Sequence, residues 1–259
     1  MNILKEELNK SEDVFVKENI LLLIIATSTN TKEGPVVTID DHKVLSILAN
    51  QTLSKNALLV NTAIEALRKL VLSSDLAPYH EQFHQALQNS VSEARLLLIA
   101  KAKVVDAKEL VNQIAEDPEW KSFEATRIAQ AALGNNDITN EYIEAAKTQH
   151  DQEKIEAFIE TLRILSLIGT EEALKAIAGY LRTPLILDRV QINKKSVRLD
   201  VLNGLVYNFP DQKILYPGQI LSAESYTIAE QFCIKQLGIE YTEPQPPFMT
   251  YIGYPSRRR

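Results

Sequence analysis

Residues 131–137 read AALGNND, residues 164–169 read ILSLIG, and residues 196–205 read SVRLDVLNGL. Laid over one another, the three are apolar runs of helical spacing, and two of them stop at a glycine, Gly134 and Gly169. Glycine tolerates the left-handed backbone that ends a helix. Leu133 and Leu165 stand 32 positions apart, Leu165 and Leu205 stand 40. The extra positions fall within Thr183 to Asn193 (TPLILDRVQIN), which reads as an insert in a repeat whose period is in the low thirties. Periods of that size belong to stacked supersecondary units.

Outward from these runs, the pattern predicts paired helices. Residues 75–88 pair with 91–104, 105–116 with 119–134, 139–149 with 151–168, and 170–182 with 194–208. A last helix covers 223–237. Short connections make neighbouring helices antiparallel, and a lone pair cannot cover both of its apolar faces, so the pairs must stack. Asp117-Pro118 reads as a helix start, with Asp capping and Pro giving up an N–H that has no partner there. Upstream, a helix is expected over Ser11 to Thr27, a break at Gly34-Pro35, and an extended piece at Val36 to Ile39. Asp40 or Asp41 caps a helix running to Gln51, and Ser54 caps the next, which carries Leu58, Leu59, Ala63, Ala66, Leu67 and Leu70.

These segments resemble HEAT repeats, the helical-hairpin units of α-solenoids. Val197-Arg198 and the turn at Ala131-Ala132-Leu133-Gly134 carry the likeness best, over about residues 75–210 and less fully over 40–74. Only one unit has the Val-Arg pair, and Asn208-Phe209-Pro210-Asp211 stands where its glycine end belongs. The resemblance implies an all-α superhelix of about five hairpins. One domain over 1–240 is expected, with a cap at 1–39, hairpins over 40–240 and an extended tail at 241–259. Proteins of this kind mostly bind other molecules; the fold does not name the function.

The bulk numbers agree with that class. A chain of 259 residues, 45% hydrophobic, with 8 Gly and 10 Pro, favours long helices over many tight hairpins. Its net charge of -6 gives no general attraction to phosphate backbones and favours a basic partner at long range. The single cysteine, Cys233, excludes an intrachain disulfide framework and a zinc-thiolate site. It reads as a buried, inert thiol, and a reducing, cytoplasmic setting is expected. Ile20 to Ala26 (ILLLIIA) is too short to span a bilayer, and the acidic residues before it argue against a signal peptide, so a buried helix and no membrane are expected.

One stretch imitates an active site. His80-Glu81-Gln82-Phe83-His84 fits the zinc-peptidase helix, in which two histidines one turn apart hold zinc and a glutamate acts as base. That chemistry needs a third protein ligand, and Glu93, Glu109 and Glu116 lack the expected flanks. Leu76, Tyr79, His80, Phe83 and Leu87 recur instead at the spacing of a buried helical stripe. No phosphate loop, nucleophile elbow or dinucleotide fingerprint occurs. No enzyme activity, metal or cofactor is expected; a zinc hydrolase using His80, His84 and Glu81 is the enzymatic alternative.

Two features depart from a plain repeat array. In the insert, Leu185, Ile186, Leu187, Val190 and Ile192 are apolar for a loop, and Arg182, Arg189, Lys194, Lys195 and Arg198 surround them. Either the loop binds a partner, or its apolar residues plug a gap between hairpins. The tail, Tyr241 to Arg259, holds Pro244, Pro246, Pro247 and Pro255 with Phe248, Tyr251 and Tyr254, and is expected to strap the last helices or dock on another chain. The expected function is a non-enzymatic scaffold or adaptor, with an inhibitory or immunity-type protein as one version. Its expected binding residues are Arg127, Glu160, Arg163, Leu185, Leu187, Arg189, Lys194, Lys195, Arg198 and Asn203, and its expected partner is a basic protein. A likeness to HEAT-like DNA glycosylases offers nucleic acid as an alternative, against which the acidic chain argues.

Overall fold

The computed structural model describes residues 2–29, 39–189, 193–206, 208–209 and 223–246; the side chains of 188, 189 and 193–195 lie outside that description, as does the extended piece expected at 36–38. Among these residues the fold is all-α apart from one two-stranded antiparallel hairpin. The chain divides into two compact units, Met1–Ile138 and Thr139–Arg259, where one array had been expected over 1–240.

The first unit holds α1 (Asn2–Lys10), α2 (Val14–Ser28), α3 (His42–Gln51), α4 (Ala57–Leu70), α5 (His80–Asn89), α6 (Glu93–Ala102), α7 (Lys108–Glu116) and α8 (Glu124–Ala132). Local chemistry sets most of the starts. The Asp41 carboxylate accepts the Lys43 N–H at 2.8 Å and opens α3. The cap of α4 is Asn56 rather than Ser54: Asn56 accepts from Leu58 and Leu59, while the Ser54 hydroxyl sits a turn too early and accepts the Asn56 N–H at 3.1 Å. Asp117 also closes a turn instead of a helix, accepting the Glu119 N–H at 2.8 Å, and α8 begins only at Glu124. The helix expected over 75–88 enters as a 3-10 turn, Ser73–Tyr79, because Pro78 supplies no N–H to an α-turn, and it becomes α-helical at His80.

Three pairs of consecutive helices pack together: α3 with α4, α5 with α6, and α7 with α8. Their second helices form a row, α4 against α6 and α6 against α8. The middle helix is therefore covered on all sides, and Leu96, Leu97, Leu98, Ile99, Ala100, Lys101 and Ala102 are all buried. On α8, Ala125, Ala129, Ala131 and Ala132 are buried, and α6 and α8 pack against each other.

Covering α6 catches a lysine. Burial, with the Arg68 charge adding, pushes the Lys101 ammonium down to about 8, and burial beside Lys101 pushes Lys103 down to about 7. Both groups sit near 10.4 in an unfolded chain, so between these values the unfolded state holds more protons than the folded one. Stability is expected to rise from about pH 7 to about pH 10 on their account, the Lys103 share from about pH 7 and the Lys101 share from about pH 8, read as an increasing urea midpoint. Lys101→Met should flatten the part of that rise above about pH 8; an unchanged slope there in the variant would remove Lys101 as its cause.

The apolar run of α2 is only half covered. Leu21 and Ile24 are fully buried, whereas Leu22 and Leu23 are 47% and 48% exposed and Phe15 is 71% exposed. The expectation of a buried helix holds for one face only. No helix among the described residues is long and apolar enough to cross a membrane.

The second unit takes in most of α9 (Asn136–Asp151), then α10 (Ile155–Ile168), α11 (Glu171–Gly179), α12 (Arg198–Val206) and α13 (Ala223–Leu237). Gly169, at φ +52°, ends α10 as its position in the sequence predicts. Phe158, Leu162, Leu165 and Ile168 of α10 form the core with Ile177 of α11 and Val201, Leu202 and Leu205 of α12. α12 packs against α10, and the Ser166 hydroxyl donates to the Gly204 carbonyl at 2.6 Å.

Candidate binding cleft at the root of the inserted hairpin

The expected loop at 183–193 is a β-hairpin. Strand β1 (Ile186–Arg189) pairs with β2 (Asn193–Ser196), with Leu187 opposite Lys195, and the Val197 N–H extends the pairing to the Leu185 carbonyl at 3.1 Å. The helix expected from 194 thus starts at Arg198. β-branched Ile186, the first residue of β1, carried a signal for a strand that a loop reading passes over. β1 packs on α10, and Leu187 is 9% exposed and turns inward, while Leu185 and Ile186 are half-buried and Val190 and Ile192 lie outside the described residues.

A buried charge cluster anchors this insert. Arg198 is 4% exposed; its Nε donates to the Leu181 carbonyl at 2.5 Å and its guanidinium lies 4.0 Å from the centre of the Tyr226 ring. Glu230, also 4% exposed, faces Arg198 at 3.7 Å and accepts from Arg182 at 2.9 Å. Arg198 had been expected on a binding surface. It is instead an internal tie, because Glu230 on α13 takes its charge. Two of the five cations around the insert are thereby paired with one buried carboxylate.

The tail meets the same region. The Tyr241 hydroxyl donates to the Ala178 carbonyl at 2.9 Å, Arg182 donates to the carbonyls of Tyr241 and Glu243, and Gln245 donates to the Thr227 hydroxyl at 3.3 Å. Residues 241–245 therefore strap α11 and α13; Phe248, Tyr251, Tyr254 and the terminal arginines lie outside the described residues. Burial pushes the Cys233 thiol up to about 11, which leaves little thiolate at neutral pH and keeps it a packing residue.

Between the root of the hairpin and the strap lies a cleft of about 320 Å³. Its aromatic walls are His150, Tyr180 and Tyr241, and its rim carries Asp151, Glu240 and Glu243, all exposed. Phe158 backs the walls, edge-on to Tyr180 at 4.8 Å and to His150 at 5.3 Å. Burial raises the Tyr180 hydroxyl above its ordinary value, with Asp151 and Glu144 adding to the effect. Arg182 supplies the one cationic side chain of the lining, already bound to Glu230 and stacked 4.9 Å from the Tyr241 ring centre.

Asp151, His150 and Thr183 stand in the order of a hydrolytic relay, 3.4 Å and 3.0 Å apart. Thr183 is only 4% exposed, and its oxygen also accepts the Leu185 N–H at 3.3 Å. A reacting carbonyl has to come within about 3 Å of a nucleophile, and this hydroxyl, at the wall of a cleft, is nearly buried and held by its bonds to His150 and Leu185. The His150–Thr183 bond joins the end of α9 to the start of the insert.

The other expected site residues are dispersed. Glu160 and Arg163 are exposed on α10 and pair with each other at 2.9 Å. Asn203 is exposed on α12, Leu185 is half-buried, and Arg127 is half-buried on α8 of the first unit. The side chains of Arg189, Lys194 and Lys195 lie outside the description. In the HEQFH stretch, His80 Nε2 donates to the Ala102 carbonyl at 2.6 Å, while Leu76, Tyr79, Phe83 and Leu87 form the buried stripe beside it. Among the described residues no group of three or more His, Cys, Asp or Glu side chains is placed to hold a metal ion. A larger cleft in the first unit, about 650 Å³, includes Lys55, Asn61, Ser92 and Arg95. Its Arg95 donates to the carbonyls of Ser90 and Thr52 and so serves as a tie between segments.

No protein-family model matches the chain, and no curated protein matches it.

The members of the cleft were not legible as a set. His150 and Thr183 are separated by 33 positions and Tyr241 and Ala178 by 63. Tyr241 belonged to the tail flagged in the sequence, but no local pattern joins it to His150 or Tyr180.

Proposed function

We propose that the chain is a HEAT-like helical-repeat protein that binds a basic protein partner and performs no catalysis of its own. The row of second helices α4, α6 and α8, each packed against the helix before it, supports the repeat reading. The observation that carries the binding reading is the acid-rimmed aromatic cleft, on which the insert and the tail converge. Asp151, Glu240 and Glu243 give its mouth an excess of negative charge, in line with the net charge of -6. Such a surface accelerates encounter with a positively charged protein and rejects acidic ones. An inhibitory or immunity-type protein that neutralises a basic target is one form this takes.

Capture from the native host lysate tests the reading, with the wild-type chain beside a variant carrying Asp151→Asn, Glu240→Gln and Glu243→Gln. A stoichiometric basic protein, retained by the wild type and lost from the variant or at high salt, is expected. An acidic partner, or one held equally by both chains, would overturn it.

A further inference from the structure

The cleft is built for something smaller than a protein surface. At about 320 Å³ it stands at the lower end of the ligand-pocket range of about 300–1,000 Å³. That accommodates one long side chain with its flanking backbone. Its walls are rings, and rings with carboxylates at their edge are the surroundings a cation prefers to water: the π-face attracts it and the carboxylates accept its N–H groups. The charge count points the same way. Three exposed carboxylates line the cleft against one arginine, and that arginine, Arg182, is neutralised by buried Glu230 at 2.9 Å.

The walls are also held in place. Tyr180 is fixed by Phe158 at 4.8 Å and by the tilted His150 ring at 5.0 Å, and His150 is itself bonded to Thr183. Tyr241 is pinned by its hydroxyl to Ala178. Rigid aromatic walls lose little entropy when a guest arrives. Arg182 over Tyr241 illustrates the stacking that such a ring supports.

We propose that this cleft is a receptor for a single arginine side chain, presented by an exposed basic segment of the partner. The inference rests on the binding reading above and narrows it to one residue type. The guest stacks its guanidinium against Tyr180 and directs its N–H groups at Asp151, Glu240 and Glu243. Arginine is favoured over lysine because a planar guanidinium both stacks on a ring and engages a carboxylate with two parallel hydrogen bonds. A neutral guest of the same shape forfeits the charge-assisted bonds and keeps only the stacking.

The test uses the full chain and four blocked pentapeptides, Gly-Gly-X-Gly-Gly, with arginine, lysine, citrulline or norleucine at the centre. Titrations are followed by NMR of the tyrosine rings and by calorimetry. The arginine peptide is expected to bind saturably, with citrulline weaker by about tenfold or more, the loss of roughly one charge-assisted contact. Lysine should fall between them. Tyr180→Leu and the triple carboxylate variant should each weaken the arginine peptide by about tenfold, with circular dichroism confirming that both variants fold. Equal affinity for arginine and citrulline, or no saturation at millimolar peptide, overturns the inference. If the peptides fail while a basic lysate protein still depends on the three carboxylates, the arginine receptor falls and the binding reading stands. If both experiments fail, both fall.

Discussion

Arg198→Ala is expected to remove about 3–5 kcal/mol of stability, the usual result of breaking a buried ion pair from one side. Arg198 and Glu230 are each 4% exposed, so neither charge has water to fall back on. Burial pulls the Arg198 guanidinium below its ordinary range, while Tyr226 and Glu230 favour the charged form. Taking Arg198 away leaves the Leu181 carbonyl without its donor and opens the 4.0 Å contact with Tyr226. Glu230 keeps Arg182, which argues for the lower half of the range. Urea denaturation followed by far-UV circular dichroism reads both units, and the fluorescence of Trp120, the one tryptophan, reads the first. A loss below about 1 kcal/mol would reduce the cluster to a set of weak contacts. Glu230→Gln alone and the double variant complete a cycle; a double variant much milder than the sum of the singles is the expected mark of coupling.

The second large effect is at Phe158. It is fully buried, and two of its neighbours, His150 and Tyr180, are walls of the cleft. Phe158→Ala is expected to cost about 3–5 kcal/mol, combining lost burial with the cavity left behind. It should also loosen Tyr180, so that arginine-peptide affinity drops even though Phe158 never meets the guest. Phe158→Leu fills part of the space and should lie between alanine and wild type in both readings. A urea midpoint unchanged by Phe158→Ala would mean that the core of the second unit does not depend on this ring. Lost stability with unchanged peptide affinity would separate the core from the cleft.

What was readable in the sequence follows the range of the forces involved. Gly169 ends α10, Asp41 caps α3, and Leu76, Tyr79, Phe83 and Leu87 make a buried stripe, because each depends on residues within a turn or two. Ser54 and Asp117 misled by a few positions, since several nearby polar groups compete for one helix start and packing selects among them. The insert was located correctly and given the wrong state. Its strands are four residues each, too short for alternation to stand out from an apolar loop.

Arg198 marks the limit. In sequence it is a cation beside other cations, which reads as a surface; in the structure Glu230, 32 positions away, draws it inside. The chain alone determined that it is helical and where several helices start and stop, because apolar spacing and capping act locally; the pair expected between 139–149 and 151–168 is not among the main helix contacts. Tertiary structure alone decided which charges are internal and which three rings form a cleft. Desolvation, ion pairing and ring stacking depend on distance in space, and residues such as His150, Tyr180 and Tyr241 become neighbours only after the helices have packed.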